Sequence, residues 1–429
     1  MKSHASPWMW VPTLYFAEGL PYFIVNNISV VMFKNLGMSN GDLALYTSLL
    51  YLPWVIKPLW SPFVDVLRTK RWWILLMQAA LAACFAALAF SVPHSVQEGG
   101  GVRVFAAALV LFYVTALCSS THDIAADGYY MLAMDTHRQA QFVGIRSTFY
   151  RIASVFGQGV LVMVAGRLET ARGVPEAWKY VLLLCSAIFA VVTLWHCLAM
   201  PSPEADSLRE RGGVKKVLAD LGGSFVTFFR KPGIWFAMAF MLLYRLPEAF
   251  SVKMLSPLLL DPADKGGLGL STETVGLAYG TVGVIALTLG GILGGLAAGR
   301  WGLRRSMWPM AMSLALPCSV YLAMALWQPS NLWVISSLVA VDQFGYGFGF
   351  TAYMLFMIYF SEGRYKTSHY ALCTAFMALS MMLPGLVAGF LQESLGYVGF
   401  FSMVMVCCLA TAAVAWAAKN KVDGQYGKK

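Results

Sequence analysis

Long apolar segments recur along the whole chain of 429 residues. A run of about 20 apolar residues can cross the hydrocarbon core of a bilayer as a helix. Hydrophobic residues make up 59% of the chain and charged residues only 12%, which excludes a set of soluble domains. The sequence therefore predicts an all-α membrane protein with twelve transmembrane helices. The predicted spans cover residues 10–33, 43–63, 72–92, 103–131, 142–167, 178–200, 233–260, 273–299, 306–327, 331–360, 368–392 and 397–418.

Lysine and arginine are distributed unevenly between the loops. An even number of spans places both termini on one side, and the loops of that side carry 20 of the 31 basic residues. Cytoplasmic loops carry such an excess, so we predict that both termini are cytoplasmic. The net charge of +10 therefore indicates membrane topology, and we expect no nucleic-acid partner.

A polar segment between the sixth and seventh spans divides the chain into two sets of six. It contains a predicted amphipathic helix, Val214–Phe229. Weak internal similarity at a shift of about 230 residues, such as LPYF at Leu20 and LPEAF at Leu246, indicates two repeats. This pattern is typical of major facilitator transporters. We predict an N-terminal half (1–200), a cytoplasmic linker (201–232), a C-terminal half (233–418) and a cytoplasmic tail (419–429).

Eleven ionisable side chains are predicted inside spans, namely five acids, five bases and His122. Each charge costs about 2.5–3.5 kcal/mol at a helix centre, so ten charges facing lipid would be untenable. They must face a polar interior, either as pairs that fix helix packing or as groups that act in transport. The acids and bases are Glu18, Lys57, Asp123, Asp127, Arg146, Arg151, Arg245, Glu248, Lys253 and Asp342.

The acids are candidates for proton coupling, and nearby basic, amide and aromatic groups are candidates for substrate binding. Asp123 and Asp127 are four residues apart and share one helix face. Arg245 and Glu248 are three apart, which favours a structural pair. The predicted proton-coupling residues are Glu18, Asp123, Asp127 and Asp342. The predicted substrate-binding residues are Tyr22, Asn26, Lys57, Arg146, Tyr150, Arg151, Glu248, Lys253 and Tyr346.

Glycines and basic residues in and around the eighth span form two further patterns. Gly291, Gly295 and Gly299 repeat every four residues, which predicts close helix packing there. The loop that follows resembles the cytoplasmic signature of the major facilitator superfamily, and a looser version follows the second span. The resemblance implies gating roles for Asp65, Arg68, Arg300 and Arg304. The glycine run GYGFGF at 345–350 follows no strand, so we expect no nucleotide cofactor, and we expect no metal.

Three stretches resemble the AmpG muropeptide permeases and the related acetyl-coenzyme A transporters. They are FAEGLPY at Phe16–Tyr22, YLPWVIKPLWSPFVD at Tyr51–Asp65 and THDIAADGY at Thr121–Tyr129, where His122 replaces the family's usual glutamine. The resemblance extends over about residues 12–160. It implies proton-driven import of peptidoglycan fragments, either anhydro-muropeptides or N-acetylglucosaminyl-anhydro-muramic acid, across a bacterial inner membrane.

The first functional hypothesis is therefore a secondary active symporter. In it an acid takes up a proton and releases its basic partner, which then binds the substrate's carboxylate. The expected partners are a small-molecule substrate, protons and the lipid bilayer, and we expect a monomer. Alternatives are a transporter of another organic anion such as a coenzyme A thioester, a simple-sugar transporter, or a drug-efflux antiporter. A membrane enzyme is disfavoured, because Asp123, Asp127 and Gly128 match the CDP-alcohol phosphotransferase motif with the wrong spacing.

Overall fold

The computed structural model describes residues 6–92, 105–134, 136–202, 214–363 and 365–423. Part of the predicted linker, 203–213, and most of the predicted tail, 424–429, lie outside the described residues. The side chain of Asp65, a predicted gating residue, also lies outside them.

Within the described residues, helices form twelve spans, which we number in chain order. Spans 1 to 6 are Val11–Phe23 continuing through Ile24–Ile28 to Ser29–Asn35; Asn40–Leu49 with Leu52–Val66; Lys70–Ser91; Ala106–Ala133; Thr136–Val155 continuing through Phe156–Leu161 to Val162–Arg172; and Val174–Ala199. Spans 7 to 10 are Ile234–Leu243 with Leu246–Leu260; Thr272–Val275 continuing through Gly276–Gly283 to Val284–Trp301; Leu303–Ala315 continuing through Leu316–Cys318 to Ser319–Trp327; and Leu332–Ser361. Spans 11 and 12 share the helix Lys366–Lys419, and a further helix covers Val214–Phe229.

The last helix divides into two spans at one glycine. Gly396 has φ 68° and ψ 173°, a backbone conformation that glycine adopts without steric penalty. By length and hydropathy, eight of the described helices are able to cross a membrane, and Lys366–Lys419 accounts for one of them. Span 7 joins this set when it is taken with the preceding helix, which it meets at 91°. Spans 2 and 10 do not meet the same criteria of length and hydropathy. Span 2 carries charged residues, and span 10 carries a glycine-rich segment.

Polar caps fix where several spans begin. The hydroxyl oxygen of Ser39 accepts a hydrogen bond from the Asp42 amide at 3.1 Å, which starts span 2. Thr69 caps span 3 in the same way, at 3.2 Å from the Trp72 amide. Each cap satisfies a backbone donor that has no partner within its helix.

Wide helical turns interrupt spans 1, 5 and 8. The π-helical segments Ile24–Ile28, Phe156–Leu161 and Gly276–Gly283 each lie within a longer α-helix. Such segments are frequent at functional sites, because they rotate the side chains that follow them. Pro21, one turn before the first segment, lacks the amide hydrogen of a regular helix residue.

The chain forms two compact units. The first contains the described parts of Met1–Ser29 and Ile56–Gly223, and the second contains those of Val30–Val55 and Ser224–Lys429. The end of span 1 and the start of span 2 therefore pack with spans from the second half of the sequence. The domain boundaries predicted at 200 and 233 remain a prediction.

Glycines bring spans 8 and 10 into close contact, but at a different register from the predicted one. A Cβ atom on Gly290 would lie 2.1 Å from the Phe344 carbonyl oxygen, and one on Gly294 would lie 2.8 Å from the Phe348 oxygen. By contrast, a Cβ atom on Gly295 would meet nothing within 4 Å. The predicted packing was therefore wrong for Gly295 and Gly299, because the face of span 8 that packs is set by its partner, span 10.

Candidate functional site

Three carboxyl groups from spans 1 and 4 lie together in the first unit. Asp123 and Asp127 are one turn apart on span 4, and Glu18 approaches from span 1. One oxygen of each carboxyl group lies within 4.8 Å of the other two. Glu18 is the most deeply buried, with 6% exposure, whereas the side chains of Asp123 and Asp127 are 20% and 37% exposed. Two of the acids are thus accessible to water and the third is enclosed.

Two basic side chains pair with the aspartates. The Lys57 ammonium forms an ion pair with Asp123. Arg146 Nη2 lies 2.6 Å from Asp127 Oδ1, to which the Tyr15 hydroxyl also donates at 3.3 Å. The guanidinium carbon of Arg146 lies 4.4 Å from the centre of the Tyr15 ring, a cation–π contact. The aspartates are therefore neutralised by one predicted base from span 2 and one from span 5.

Among the described residues of this cluster the charges do not balance, because the three acids Glu18, Asp123 and Asp127 face two bases. Glu18 Oε2 is buried without a hydrogen-bond partner in the described part of the chain, which is unusual for a carboxyl oxygen. Carboxyl groups this close do not all ionise, since like charges disfavour ionisation. The three acids could also hold a cation, but Lys57 and Arg146 already supply positive charge there. The arrangement is suited to holding one exchangeable proton.

Three predicted substrate-binding residues lie on spans 1 and 5, the helices that also carry Glu18 and Arg146. Asn26 is 2% exposed, and its amide donates to the Tyr22 carbonyl at 3.1 Å, while its Oδ1 has no hydrogen-bond partner among the described residues. Tyr150 is half-buried, with its ring centre 5.5 Å from that of Phe23. Arg151 follows in span 5 and is also half-buried. These groups place polar atoms on two helices of the first unit.

In the second unit, Arg245 and Glu248 form a closed pair. Arg245 Nε donates to Glu248 Oε2 at 2.9 Å and its Nη2 donates to Oε1 at 3.1 Å. The same Nη2 donates to the Tyr346 hydroxyl at 3.0 Å, and both charged residues are 5% exposed. A buried, bidentate ion pair whose arginine N–H groups already donate to protein acceptors is suited to a role in helix packing. This geometry agrees with the structural interpretation of the pair, and it leaves Glu248 and Tyr346 engaged with Arg245.

The other two charged residues predicted inside spans of the second unit, Asp342 and Lys253, have no charged partner among the described residues. Asp342 is 5% exposed and accepts hydrogen bonds from the Tyr321 hydroxyl and, at 3.0 Å, from Gln343 Nε2. Lys253 is 1% exposed, and its ammonium donates to Thr47 Oγ1 at 3.2 Å. In the described ranges, neither residue forms an ion pair.

The predicted gating residues lie at the ends of helices. Arg68 follows span 2 and is exposed, with its guanidinium 5.7 Å from the Trp72 ring centre. Arg300 and Arg304 flank the turn between spans 8 and 9 and are exposed. All three arginines lie at or beside a connection between two spans, and their cytoplasmic location and gating role remain predictions.

A buried polar network next to Asp123 was missed by the sequence analysis. His122 Nε2 lies 3.0 Å from Gln78 Nε2, and Gln78 Oε1 lies 3.0 Å from His196 Nδ1. His196 Nε2 then lies 2.8 Å from Thr13 Oγ1. The amide and both rings are 0% exposed. His196 was not among the ionisable residues predicted inside spans, although a histidine in the apolar run of span 6 indicates a buried polar contact.

A second missed cluster surrounds Asp261, just after span 7. Lys34 Nζ lies 2.6 Å from Asp261 Oδ1, while Asn40 Nδ2 and the Tyr397 hydroxyl donate to Oδ2 at 3.1 and 2.5 Å. Asn40 also donates to Gln392 Oε1 at 2.7 Å. Burial alone would raise the pKa of Asp261, but hydrogen bonds from Lys34 and Tyr397 outweigh it and hold the pKa below its usual value. The cluster ties spans 1 and 2 to spans 7, 11 and 12 within the second unit.

Twelve spans with charged side chains paired in the interior define a polytopic membrane transporter. The chain belongs to the Major Facilitator Superfamily, whose family model matches residues 13–365. Predictions of an all-α major facilitator fold and of an AmpG-like permease are thus confirmed.

Among curated proteins, the chain is similar to the anhydromuropeptide permease of Escherichia coli (strain K12). The two are 24% identical over 397 residues, which cover 90% of this chain and 74% of the relative. Putative transporter AmpG 4 of Rickettsia conorii is 22% identical, with 95% of each chain covered. An uncharacterized protein of Haemophilus influenzae is 23% identical over 90% of this chain and 88% of its own.

Solved structures share the fold at lower sequence identity. A D-xylose-proton symporter matches with a TM-score of 0.69 and 12% identity, over 98% of both chains. The D323A mutant of the nucleoside transporter NupG matches with a TM-score of 0.67 and 15% identity, over 96% of this chain and 99% of that one. At these identities the likeness establishes the fold alone.

Proposed function

We propose that the protein imports peptidoglycan fragments, driven by protons, across a bacterial inner membrane. The substrates would be anhydro-muropeptides or N-acetylglucosaminyl-anhydro-muramic acid. The similarity to the anhydromuropeptide permease and to putative AmpG transporters supports this class of substrate. The excess of basic residues in alternate loops supports cytoplasmic termini.

Proton coupling is supported by the excess of negative charge in the cluster, where Glu18, Asp123 and Asp127 face two bases. A buried group with three acids and two cations is neutral only when it binds one more positive charge. A proton fits this requirement, because the Glu18 carboxyl has an oxygen without a partner and is enclosed. In this proposal the proton reaches Glu18 by way of the aspartates, whose side chains are 20% and 37% exposed.

Proton binding also frees a base for the substrate. When the cluster gains a proton, the attraction that holds Lys57 to Asp123 and Arg146 to Asp127 weakens. Arg146 presents a planar set of donors that suits a carboxylate, and the Tyr15 ring beneath it keeps that plane oriented. Substrate carboxylate and proton are then carried together, and release of the proton restores the ion pairs.

The test is uptake of a labelled anhydro-disaccharide into proteoliposomes with and without an inward proton gradient. We expect accumulation only with the gradient, and equal uptake under both conditions would refute the coupling. Parallel arms with a simple sugar and a coenzyme A thioester separate the alternative substrates. Export of cationic dyes would instead support an antiporter.

A Glu18→Gln variant shows which acid is required. We expect it to lose gradient-driven accumulation but to keep exchange of labelled for unlabelled substrate, because exchange needs no net proton movement. Glu176→Gln is the matched control. Glu176 belongs to a different ion pair, in which its Oε1 lies 3.3 Å from Lys179 Nζ. Normal coupling in Glu18→Gln would exclude Glu18 as the proton site.

A further inference from the structure

Lys253 is the most deeply enclosed base in the second unit that has no acid beside it. Its side chain is 1% exposed, and its ammonium donates to Thr47 Oγ1 at 3.2 Å. Thr47 in turn donates to the Leu43 carbonyl at 2.6 Å, so its oxygen is free to act only as an acceptor toward Lys253. The ring of Tyr51 lies 5.1 Å away. In the part of the chain that the structure describes, no carboxylate lies within ion-pair distance of this ammonium.

An ammonium in such surroundings lacks a counter-charge and some of its possible hydrogen bonds. Burying a charge is strongly unfavourable unless the charge is paired and hydrogen-bonded. Arg245 shows how the same unit completes a buried cation, with two bonds to Glu248 and one to Tyr346. Lys253 has one neutral acceptor and a ring face, and at least one of its three N–H donors remains for another partner.

A second donor without a partner lies next to it. Ser48 is 0% exposed, and its hydroxyl has no hydrogen-bond partner among the described residues. Both side chains converge on Gly385 of span 11. A Cβ atom on that glycine would lie 2.2 Å from Ser48 Oγ and 3.2 Å from Lys253 Cε. The absence of a side chain at Gly385 lets the hydroxyl and the lysine arm occupy the same small region.

We propose that Lys253 and Ser48 form a subsite for a carboxylate of the transported substrate. This inference rests on the proposed transport function and deepens it, because it requires an anionic substrate. An ammonium and a hydroxyl that both donate match the two oxygens of a carboxylate. Since Lys253 is 1% exposed, the carboxylate reaches it in a conformation in which Gly385 has moved away from Ser48.

Ligand binding is measured as a thermal shift of the purified full chain with pairs of compounds that differ only in charge. The pairs are muramyl disaccharides and short peptides as free acids and as their carboxamides. We expect the acids to bind about 10- to 100-fold more tightly than the amides, as for a hydrogen bond to a charged group. If no acid binds better than its amide, the subsite does not exist.

Variants then assign the preference to this subsite. In Lys253→Gln the acid-to-amide ratio should fall about 10-fold or more, by the contribution of this subsite, and in Ser48→Ala it should fall by a smaller factor. Lys265→Gln, which removes an exposed lysine, is the matched control and should keep the full ratio. An unchanged ratio in Lys253→Gln overturns the proposal.

The stability of the empty protein gives a second readout that does not depend on the ligand. Removing a buried unpaired charge should leave the melting temperature of Lys253→Met equal to or above that of the wild type. A large decrease would indicate a structural role for Lys253 and would count against the subsite.

Two further arms separate the possible outcomes. Tighter binding of phosphate monoesters than of carboxylates would overturn the assignment to a carboxylate. If the preference for acids depends on Lys253 while uptake is the same with and without the proton gradient, the subsite stands and the proposed coupling fails. If amides bind as well as acids while uptake follows the gradient, the coupling stands and the subsite fails.

Discussion

Arg146 and Asp127 are joined by a 2.6 Å contact between Nη2 and Oδ1, although 19 positions separate them along the chain. The contact links span 5 to span 4, and the Tyr15 ring from span 1 packs against the guanidinium. One arginine therefore connects three helices of the first unit.

Removing one member of this pair should be more harmful than removing both. Arg146→Gln leaves Asp127 without its cation, and we expect a loss of roughly 1–3 kcal/mol in unfolding free energy, as for other hydrogen bonds to charged groups. The double variant Asp127→Asn with Arg146→Gln should recover most of that loss while transport stays impaired. A double-mutant cycle of thermal unfolding measures the coupling, and additive effects would contradict the pairing.

The network of Gln78, His122 and His196 should tolerate an amide at position 122 but not an apolar side chain. His122→Gln keeps a hydrogen-bonding group near Gln78, whereas His122→Leu leaves the buried Gln78 amide without that partner. An unsatisfied buried donor costs about 1–3 kcal/mol, so His122→Leu should melt earlier. Equal melting of the two variants would show that the network contributes nothing.

The cluster around Asp261 should stabilise the protein at neutral pH and weaken only in acid. The pKa of Asp261 in the folded protein is held below its usual value. The contribution of Asp261 to the free energy of unfolding is therefore complete above its unfolded-state pKa of about 3.9, and it disappears as the pH falls through the folded-state pKa. Asp261→Asn should therefore melt earlier than the wild type at pH 7, with a smaller difference below pH 4.

The exposed Asp264 lies in the same loop and provides the control. Asp264→Asn should leave the melting temperature unchanged at both pH values. A difference between Asp261→Asn and the wild type that grows toward low pH would contradict the sign of the pKa shift.

The contact between spans 8 and 10 gives a steric test with a control five residues further along span 8. Gly290→Ala would place a methyl group 2.1 Å from the Phe344 carbonyl oxygen, so the helices must separate, at about 1–3 kcal/mol. Gly295→Ala meets nothing within 4 Å and should be neutral or slightly stabilising, because alanine favours helix. Thermal unfolding of both variants measures the difference. Equal changes in melting temperature would contradict the observed register of spans 8 and 10.

Local spacing in the sequence predicted part of the candidate site. A separation of four residues places Asp123 and Asp127 on one face, and a separation of three allows Arg245 to bind Glu248, since both depend only on helix geometry. The identity of cross-helix partners was not predictable in this way. Lys57 pairs with Asp123 across 66 residues, which reflects the packing of spans 2 and 4.

The twelve spans were predictable because apolar length is sufficient to identify a membrane helix. Their internal irregularities were not predicted, because π-helical turns such as Ile24–Ile28 depend on how neighbouring helices pack. The register of span 8 was missed for the same reason. Gly345, Gly347 and Gly349 of span 10 determine which glycines of span 8 are contacted.

We propose that Glu18 carries the proton that moves with the substrate. The most direct measurement is the proton flux caused by adding substrate to proteoliposomes at equal pH inside and outside, followed with a pH-sensitive dye. We predict that protons enter with the anhydro-disaccharide in the wild type and in Glu176→Gln, and that this flux is absent in Glu18→Gln although substrate exchange continues. Substrate entry without proton entry in the wild type would exclude proton coupling, and an undiminished flux in Glu18→Gln would exclude Glu18 as the proton site.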